Sequence, residues 1–186
     1  MNRMTIIGVL ASEPWKWFKR NRKQMYSVMF HVDQNGHTEC IKVVADENSI
    51  VGLKRGHKYM CRGKLVSRNI TDKKVFYLDS EIILPTDAED LNEIEVIGEI
   101  DKKDKVIKRY DGREFHHFHM RIPCDWDAWV DVEAHGNMAD RAFKYPIGAW
   151  VKIKGKIQSY NRFVGDDIVT RYTLIPYTME GAKNEQ

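Results

Sequence analysis

Alternation of apolar and polar side chains predicts β-strands along much of the chain. In the first clear strand, Met4, Ile6, Gly8 and Leu10 fall on one face, and less uniformly apolar residues fall on the other. The same pattern returns over residues 94–100, where glutamates occupy the second face and identify it as the side in contact with water. A period of two residues is typical of a strand with one buried face.

The chain contains a duplicated unit. Three landmarks recur in the same order at offsets of 90, 92 and 91 residues: Gly8 with Gly98, Gly63 with Gly155, and Pro85 with Pro176. A nearly constant offset marks an internal repeat. We therefore expect one domain at residues 1–86 and a second at 94–180, with an acidic linker at 87–93 between them and a flexible tail at 181–186.

The pattern within each copy predicts three strands, a short helix and two further strands. In the first copy we expect strands at 4–10, 25–32, 39–45, 58–65 and 74–84, a polar loop at 11–24 and a helix at 47–53. In the second copy the corresponding loop is expected at 101–113 and the helix at 137–144. This order is that of the OB-fold, a five-stranded Greek-key barrel. We predict an all-β protein of two tandem OB-fold barrels with short helices.

Charge is distributed unevenly between the two copies. Residues 1–86 contain 15 Lys and Arg against 8 Asp and Glu, a net charge of +7, whereas the remaining residues carry a net charge of −4. This difference favours the first domain as the partner of a polyanion. No apolar run approaches the ~20 residues that span a bilayer. The three cysteines have no CxxC spacing, which predicts reduced thiols in a cytoplasmic protein.

The loop at 11–24 is the strongest candidate for nucleic-acid contact. Aromatic rings can stack on bases and cations can neutralise phosphates, and this loop lines the ligand groove of OB-folds. The residues that we expect to contribute are Trp15, Lys16, Trp17, Phe18, Lys19, Arg20, Arg22 and Lys23. A protein interface is the alternative, because exposed tryptophans also mark such surfaces.

Strand faces and the hairpin between the last two strands of each copy supply further candidates. The outward cations are Lys42, Arg62 and Lys64 in the first copy and Lys154 and Lys156 in the second. The hairpin candidates are Arg68, Lys73, Lys74 and Tyr77 in the first copy and Tyr160, Arg162 and Phe163 in the second. Asp131 takes the place of Lys42 in the second copy, where a carboxylate would repel phosphate. We expect that domain to bind DNA more weakly or to contact protein.

The second copy resembles the bacterial single-stranded DNA-binding protein family. The resemblance rests on Asn92 to Gly98, Trp129 to Ala139 and Gly148 to Ile157, and the first copy is a looser match. It implies binding of single-stranded DNA in replication, recombination or repair, and a dimer that displays four OB-folds. It also implies nucleic-acid contact by Trp126, Trp129 and His135. The last residues lack the acidic, apolar-tipped end of the usual members, and primosomal proteins of the PriB kind are near neighbours.

The run from His116 to His119 raises the question of a metal site. His117 and His119 share a strand face, and Cys124 or Asp125 could approach them. An outward polar row beside Arg121 explains the same pattern, so we predict no metal and no cofactor.

Two other classes of function follow from the same sequence. The chain has no nucleophile elbow, P-loop, HExxH motif or glycine-rich dinucleotide turn, so we expect no enzyme activity. The alternatives to single-stranded DNA binding are a protein-interaction subunit of a replisome, primosome or mobile-element complex, and single-stranded RNA binding, since OB-folds accept both nucleic acids.

Overall fold

The computed structural model describes residues 1–70, 73–104, 107–108, 114–123, 128–164 and 167–183. Its contacts divide the chain into two compact units. The first unit is Arg3–Glu93, and the second unit is Ile94–Gln186 together with Met1–Asn2. Neither of the two helices in the described ranges is long and apolar enough to cross a membrane.

Strands account for most of both units. The first half of the chain forms β1 (Asn2–Leu10), β2 (Trp15–Arg20), β3 (Lys23–Gln34), β4 (His37–Asp46), α1 (Glu47–Ile50), β5 (Lys58–Ile70) and β6 (Lys73–Pro85). The second half forms β7 (Leu91–Lys103), β8 (Ile107–Lys108), β9 (Glu114–Ile122), β10 (Ala128–His135), α2 (Asn137–Lys144), β11 (Trp150–Val164) and β12 (Asp167–Gly181). Strand β7 begins inside the segment expected as a linker, and α1 is shorter than the predicted helix.

Both units are closed five-stranded barrels. In the first unit, β1 pairs antiparallel with β3 and β5, β5 pairs antiparallel with β6, and β6 returns parallel to β4, which pairs antiparallel with β3. In the second unit, β7, β9, β10, β12 and β11 pair in the same circular order and with the same directions. This order confirms the predicted all-β fold of two OB-fold barrels.

The barrel interiors are filled by the predicted apolar phase of each strand. Ile6, Phe30 and Leu78 are fully buried in the first unit, and Phe118 and Leu174 are fully buried in the second. These side chains alternate with outward ones, because successive residues of a strand point to opposite faces. Side chains available for a binding surface therefore belong to the outward phase of the strands.

The repeated glycines in the first strand of each unit permit close backbone contact. A Cβ atom added at Gly8 would overlap the carbonyl oxygen of His31, and one added at Gly98 would lie 2.6 Å from the carbonyl oxygen of Arg121. Both contacts join the first barrel strand to the second. Glycine recurs at these positions because any side chain would push the two strands apart.

The segment expected as a polar loop contains a strand, so the prediction of a loop at 11–24 was wrong over Trp15–Arg20. Strand β2 pairs with residues 23–27 of β3, while the end of β1 pairs with His31 and Phe30 further along the same strand. Thus β2 continues β1 along one edge of β3. Asn21 and Arg22 adopt positive φ values of 50° and 68° and form the tight turn into β3. Two aromatic side chains of β2, Trp17 and Phe18, pack against the barrel and hold this strand in place.

Candidate nucleic-acid interface

A second layer of apolar side chains lies on the outer face of the first barrel. This outer cluster consists of Met25, Val44, Val66 and Tyr77, all of them buried. Trp17 and Phe18 of β2 are half-buried and pack against the cluster. Burial of these rings fastens β2 to the barrel, because apolar surface removed from water stabilises the contact. Val44 shares the outward phase of β4 with Lys42 but is fully buried, because Trp17 and Phe18 pack over this part of the barrel.

The rings in this layer meet edge to face. The centre of the Trp17 ring lies 5.1 Å from that of Phe18 and 5.1 Å from that of Tyr77, with interplanar angles of 67° and 79°. Such arrangements suit the positive edge and negative face of aromatic rings. Tyr77 is only 5% exposed beneath the other two rings. The Tyr77 ring supports Trp17 and Phe18 from below. We predicted Tyr77 as a nucleic-acid contact, and its burial corrects that prediction because the ring has no face open to a base.

Two cations lie over the half-buried rings. The Lys42 ammonium is 4.9 Å from the centre of the Trp17 ring, and the Arg68 guanidinium carbon is 4.5 Å from the centre of the Phe18 ring. Both distances fall within the range of cation–π attraction. Burial lowers the pKa of Lys42 from its ordinary value. We call Trp17, Phe18, Lys42 and Arg68 the aromatic platform.

Exposed aromatic and basic groups adjoin the platform on β2 and its turn. Trp15 is 72% exposed. Lys16, Lys19, Arg22 and Lys23 are also exposed. Arg20 differs from them, because its guanidinium donates to both carboxylate oxygens of Asp79 at 2.5 and 3.0 Å. The Asp79 hydrogen bond raises the pKa of Arg20, and the pair leaves less positive charge for a ligand.

The outward row of β5 that ends at Arg68 carries two further cations. Arg62 and Lys64 are exposed there, and the Lys64 ammonium lies 3.8 Å from a carboxylate oxygen of Glu81. Both side chains of this pair are more than half exposed, so the attraction is weak. Lys73 and Lys74 begin strand β6, and the structure describes their backbone but not their side chains. Their contribution stays a prediction.

Among the described residues, the matching face of the second unit carries acid–base pairs. Strand β10 sets Asp131 opposite His119, as β4 sets Lys42 opposite Met29, so Asp131 occupies the position of Lys42. The Nδ1 atom of His119 lies 2.6 Å from a carboxylate oxygen of Asp131. Nearby, an Arg121 nitrogen lies 2.6 Å from a Glu99 carboxylate oxygen. Carboxylates on this face oppose the approach of phosphate.

Other predicted residues of the second unit are spread over this face and its margins. Trp129 is half-buried opposite Arg121, and His135 lies with its Nε2 atom 2.8 Å from a Glu133 carboxylate oxygen. Lys154 is exposed, Lys156 is half-buried, and Tyr160 is 48% exposed. Trp126 lies outside the described residues, as do the side chains of Arg162 and Phe163. The roles of all these residues stay predictions.

Asp104 is a polar residue of this face that sequence reasoning missed. Its backbone N–H donates to the carbonyl oxygen of His117 at 3.0 Å, and a carboxylate oxygen lies 2.7 Å from His117 Nδ1. This hydrogen bond lowers the pKa of Asp104. An irregularity in the pairing of β7 with β9, between Ile100 and Lys102, precedes the contact. The sequence gives no signal for this irregularity in strand pairing, so the contact between Asp104 and His117 could not be predicted from it.

Comparison with known proteins finds the same fold among solved structures. The wild-type single-stranded DNA-binding protein of Thermus aquaticus aligns with a TM-score of 0.79 at 15% identity, covering 100% of this chain and 95% of that one. A deletion mutant of that protein aligns with the same score and identity, covering 96% of its chain. The N-terminal domain of PriB from Thermoanaerobacter tencongensis aligns over 47% of this chain with a TM-score of 0.42, from which we draw no conclusion.

Sequence comparison alone finds no relative. No protein-family model matches the chain. No curated protein matches it either. At 15% identity the likeness to the Thermus structures establishes the fold, and it does so over the full length of this chain.

Proposed function

We propose that this protein binds single-stranded DNA with little sequence preference through the outer face of the first unit. The observation that supports the proposal is the aromatic platform, with Trp17 and Phe18 held over the outer cluster and flanked by Lys42 and Arg68. Strands 2 and 3 of an OB barrel, here β3 and β4, form its usual ligand face together with the adjoining loops. The platform lies on that face.

Stacking would supply sequence-tolerant affinity. Every base has a π-face, and stacking on an aromatic side chain contributes about 1–3 kcal/mol per base. Trp15 is 72% exposed and offers its ring directly. Trp17 and Phe18 are fixed from below by Tyr77, so less side-chain entropy is lost when a base packs on them.

The exposed cations would hold the phosphates. Lys16, Lys19, Arg22 and Lys23 surround the aromatic residues of β2. For single strands, log K falls with log salt by roughly 0.7 for each neutralised phosphate. If these four cations and Lys42 each hold one phosphate, the slope is about −3.5. The acid–base pairs of the second unit would contribute little to this attraction.

Protection or presentation of single strands during replication, recombination or repair is the role that we propose for such binding. The protein would act without catalysis or a cofactor. A homodimer that displays four OB-folds stays a prediction, which light scattering of the purified protein tests directly.

A fluorescence titration tests the proposal. The five tryptophans report on an added dT oligomer of roughly 35 nucleotides, and duplex DNA of equal length is the control. We expect quenching by the single strand that weakens steeply with salt, and little response to duplex. No quenching at low salt would overturn the proposal and favour a protein interface on the tryptophans. Tighter binding of an RNA oligomer of equal length would instead identify RNA as the ligand.

A further inference from the structure

Three metal-binding side chains converge on the outer face of the second unit. The candidate ligand atoms of Asp104, His117 and His119 all lie within 4.8 Å of one another. The three side chains are 34%, 20% and 30% exposed, so an ion can reach them from solvent. This convergence is independent of the aromatic platform and of the proposed DNA binding.

The backbone fixes the relative positions of the three residues. His117 and His119 follow each other on the outward phase of β9, and their ring centres are 5.1 Å apart. The N–H of Asp104 donates to the carbonyl oxygen of His117 at 3.0 Å, which brings the carboxylate against the same ring. Because the backbone sets both contacts, little chain entropy is lost on gathering these ligands around an ion.

A fourth residue orients one of the imidazoles. Asp131, on the neighbouring strand β10, places a carboxylate oxygen 2.6 Å from Nδ1 of His119. A histidine that donates its Nδ1–H to a carboxylate presents Nε2 as a lone-pair donor, and metal-binding histidines are commonly held in this way. The pair therefore fixes the tautomer and the orientation that a metal ligand needs.

We propose that Asp104, His117 and His119 form a binding site for a divalent transition-metal ion such as Zn²⁺, with Asp131 as the carboxylate that orients His119. Two imidazoles and a carboxylate, with water in the remaining position, are a donor set that Zn²⁺ accepts. Ligand bonds of about 2.0–2.1 Å in a tetrahedral site place the donor atoms roughly 3.4 Å apart. The donor atoms lie within 4.8 Å of one another, and the Asp104 carboxylate is 2.7 Å from His117 Nδ1, so side-chain movements on the order of 1 Å would bring the set to that spacing. From the sequence we interpreted His117 and His119 as an outward polar row without a metal, because nothing in the sequence indicates that Asp104 lies beside them.

One neighbouring cation competes for the site. The Lys102 ammonium lies 3.9 Å from a carboxylate oxygen of Asp104, and the Lys102 side chain is 66% exposed. An incoming ion would displace this ammonium into water at small cost, since exposed ion pairs are weak. Removal of the Lys102 charge should therefore raise the affinity for the metal.

Metal titration of the untagged full chain tests the proposal. Calorimetry with Zn²⁺ and visible absorption with Co²⁺ should show one ion per chain, tetrahedral Co²⁺ bands, and an affinity that falls as the solution is acidified and the ligands are protonated. His117→Gln and His119→Gln should each abolish the Co²⁺ bands. Asp131→Asn should weaken Zn²⁺ binding about 10-fold or more, as loss of an orienting carboxylate does. Lys102→Ala should strengthen it.

The matched control is His37→Gln, which removes an exposed histidine from the first unit and should leave metal binding unchanged. Circular dichroism verifies that each variant is folded. Lys102→Ala retains all the proposed ligands, so it tests the site even if a histidine variant unfolds. Absence of stoichiometric binding to the unaltered chain would overturn the proposal. Equal effects of His37→Gln and His119→Gln would also overturn it.

Discussion

The ammonium group of Lys42 lies 4.9 Å from the centre of the Trp17 ring. Lys42 belongs to the barrel strand β4, whereas Trp17 belongs to β2, the strand added along the edge of β3. The contact therefore joins the added strand to the face of the barrel that we propose as the DNA-binding face. Burial lowers the pKa of Lys42, and an arriving phosphate would favour its charged form. In the proposed function, the same side chain both holds the platform together and contacts the DNA backbone.

Lys42→Met should weaken single-strand binding and reduce its dependence on salt. Methionine keeps an apolar stem against Trp17 but removes the charge. The slope of log K against log salt should become shallower by about 0.7 if Lys42 holds one phosphate. Titrations at several salt concentrations measure this slope. Lys54→Met, at an exposed lysine between α1 and β5, is the control for loss of one charge. Equal slopes for Lys42→Met and the unaltered protein would exclude a phosphate contact by Lys42.

Trp15→Ala should weaken binding of a dT oligomer by about 1–3 kcal/mol without lowering stability. Trp15 is 72% exposed, so its loss exposes little that was buried. Binding can be followed by the fluorescence of the remaining tryptophans, and stability by urea unfolding. Ile147→Ala removes another large exposed apolar side chain, 61% exposed in the second unit, and should change neither quantity. A stability loss in Trp15→Ala would show that Trp15 packs against the protein instead of offering itself to a base.

Asp131→Lys should increase the affinity for single-stranded DNA and steepen its salt dependence. The substitution places a cation at the position that Lys42 occupies in the first unit. Measurements in the presence of a chelator separate this effect from metal binding. Asp87→Lys makes the same charge change at an exposed residue outside the barrel strands and serves as the control. If both variants gain affinity equally, net charge alone is responsible and the face of the second unit has no special role.

The sequence predicted the barrels well because their interiors obey a two-residue period. The alternation from Met4 to Leu10 identified the buried face of β1, and the repeat matched Asp131 of the second copy with Lys42 of the first. The limits of prediction lie where a second layer of packing overrides that period. Trp15–Arg20 resembled a polar loop because its cations mask the pairing with β3. The burial of Tyr77 depends on that unseen strand.

Asp46→Ala should destabilise the first unit by about 0.5–2 kcal/mol, whereas Asp46→Asn should cost much less. The Asp46 carboxylate caps α1 by accepting hydrogen bonds from the Ser49 N–H and O–H groups, both at 3.0 Å. The Ser49 N–H in particular lowers the pKa of Asp46 below its ordinary value of 3.8.

This lowered pKa makes the contribution of Asp46 dependent on pH. A carboxyl whose pKa is lower in the folded state stabilises the fold above its unfolded pKa and loses that effect as the pH falls through the folded value. The stability advantage of the unaltered protein over Asp46→Asn should therefore shrink on acidification below about pH 4. Urea unfolding of both proteins at neutral and acidic pH measures the difference. A constant difference across that range would contradict the assignment.

His116→Leu should raise the stability of the second unit by about 1 kcal/mol. His116 is 4% exposed, and neither of its ring nitrogens has a hydrogen-bond partner within the described part of the chain. Its neighbours include Phe118 and Phe143, with ring centres 6.3 and 6.2 Å away. A buried polar group without a partner costs about 1–3 kcal/mol, and an apolar side chain of similar size avoids that cost. Urea unfolding provides the measurement, and His31→Leu, at an exposed histidine of the first unit, is the control. A loss of stability in His116→Leu would mean that the imidazole has a polar partner that leucine cannot replace.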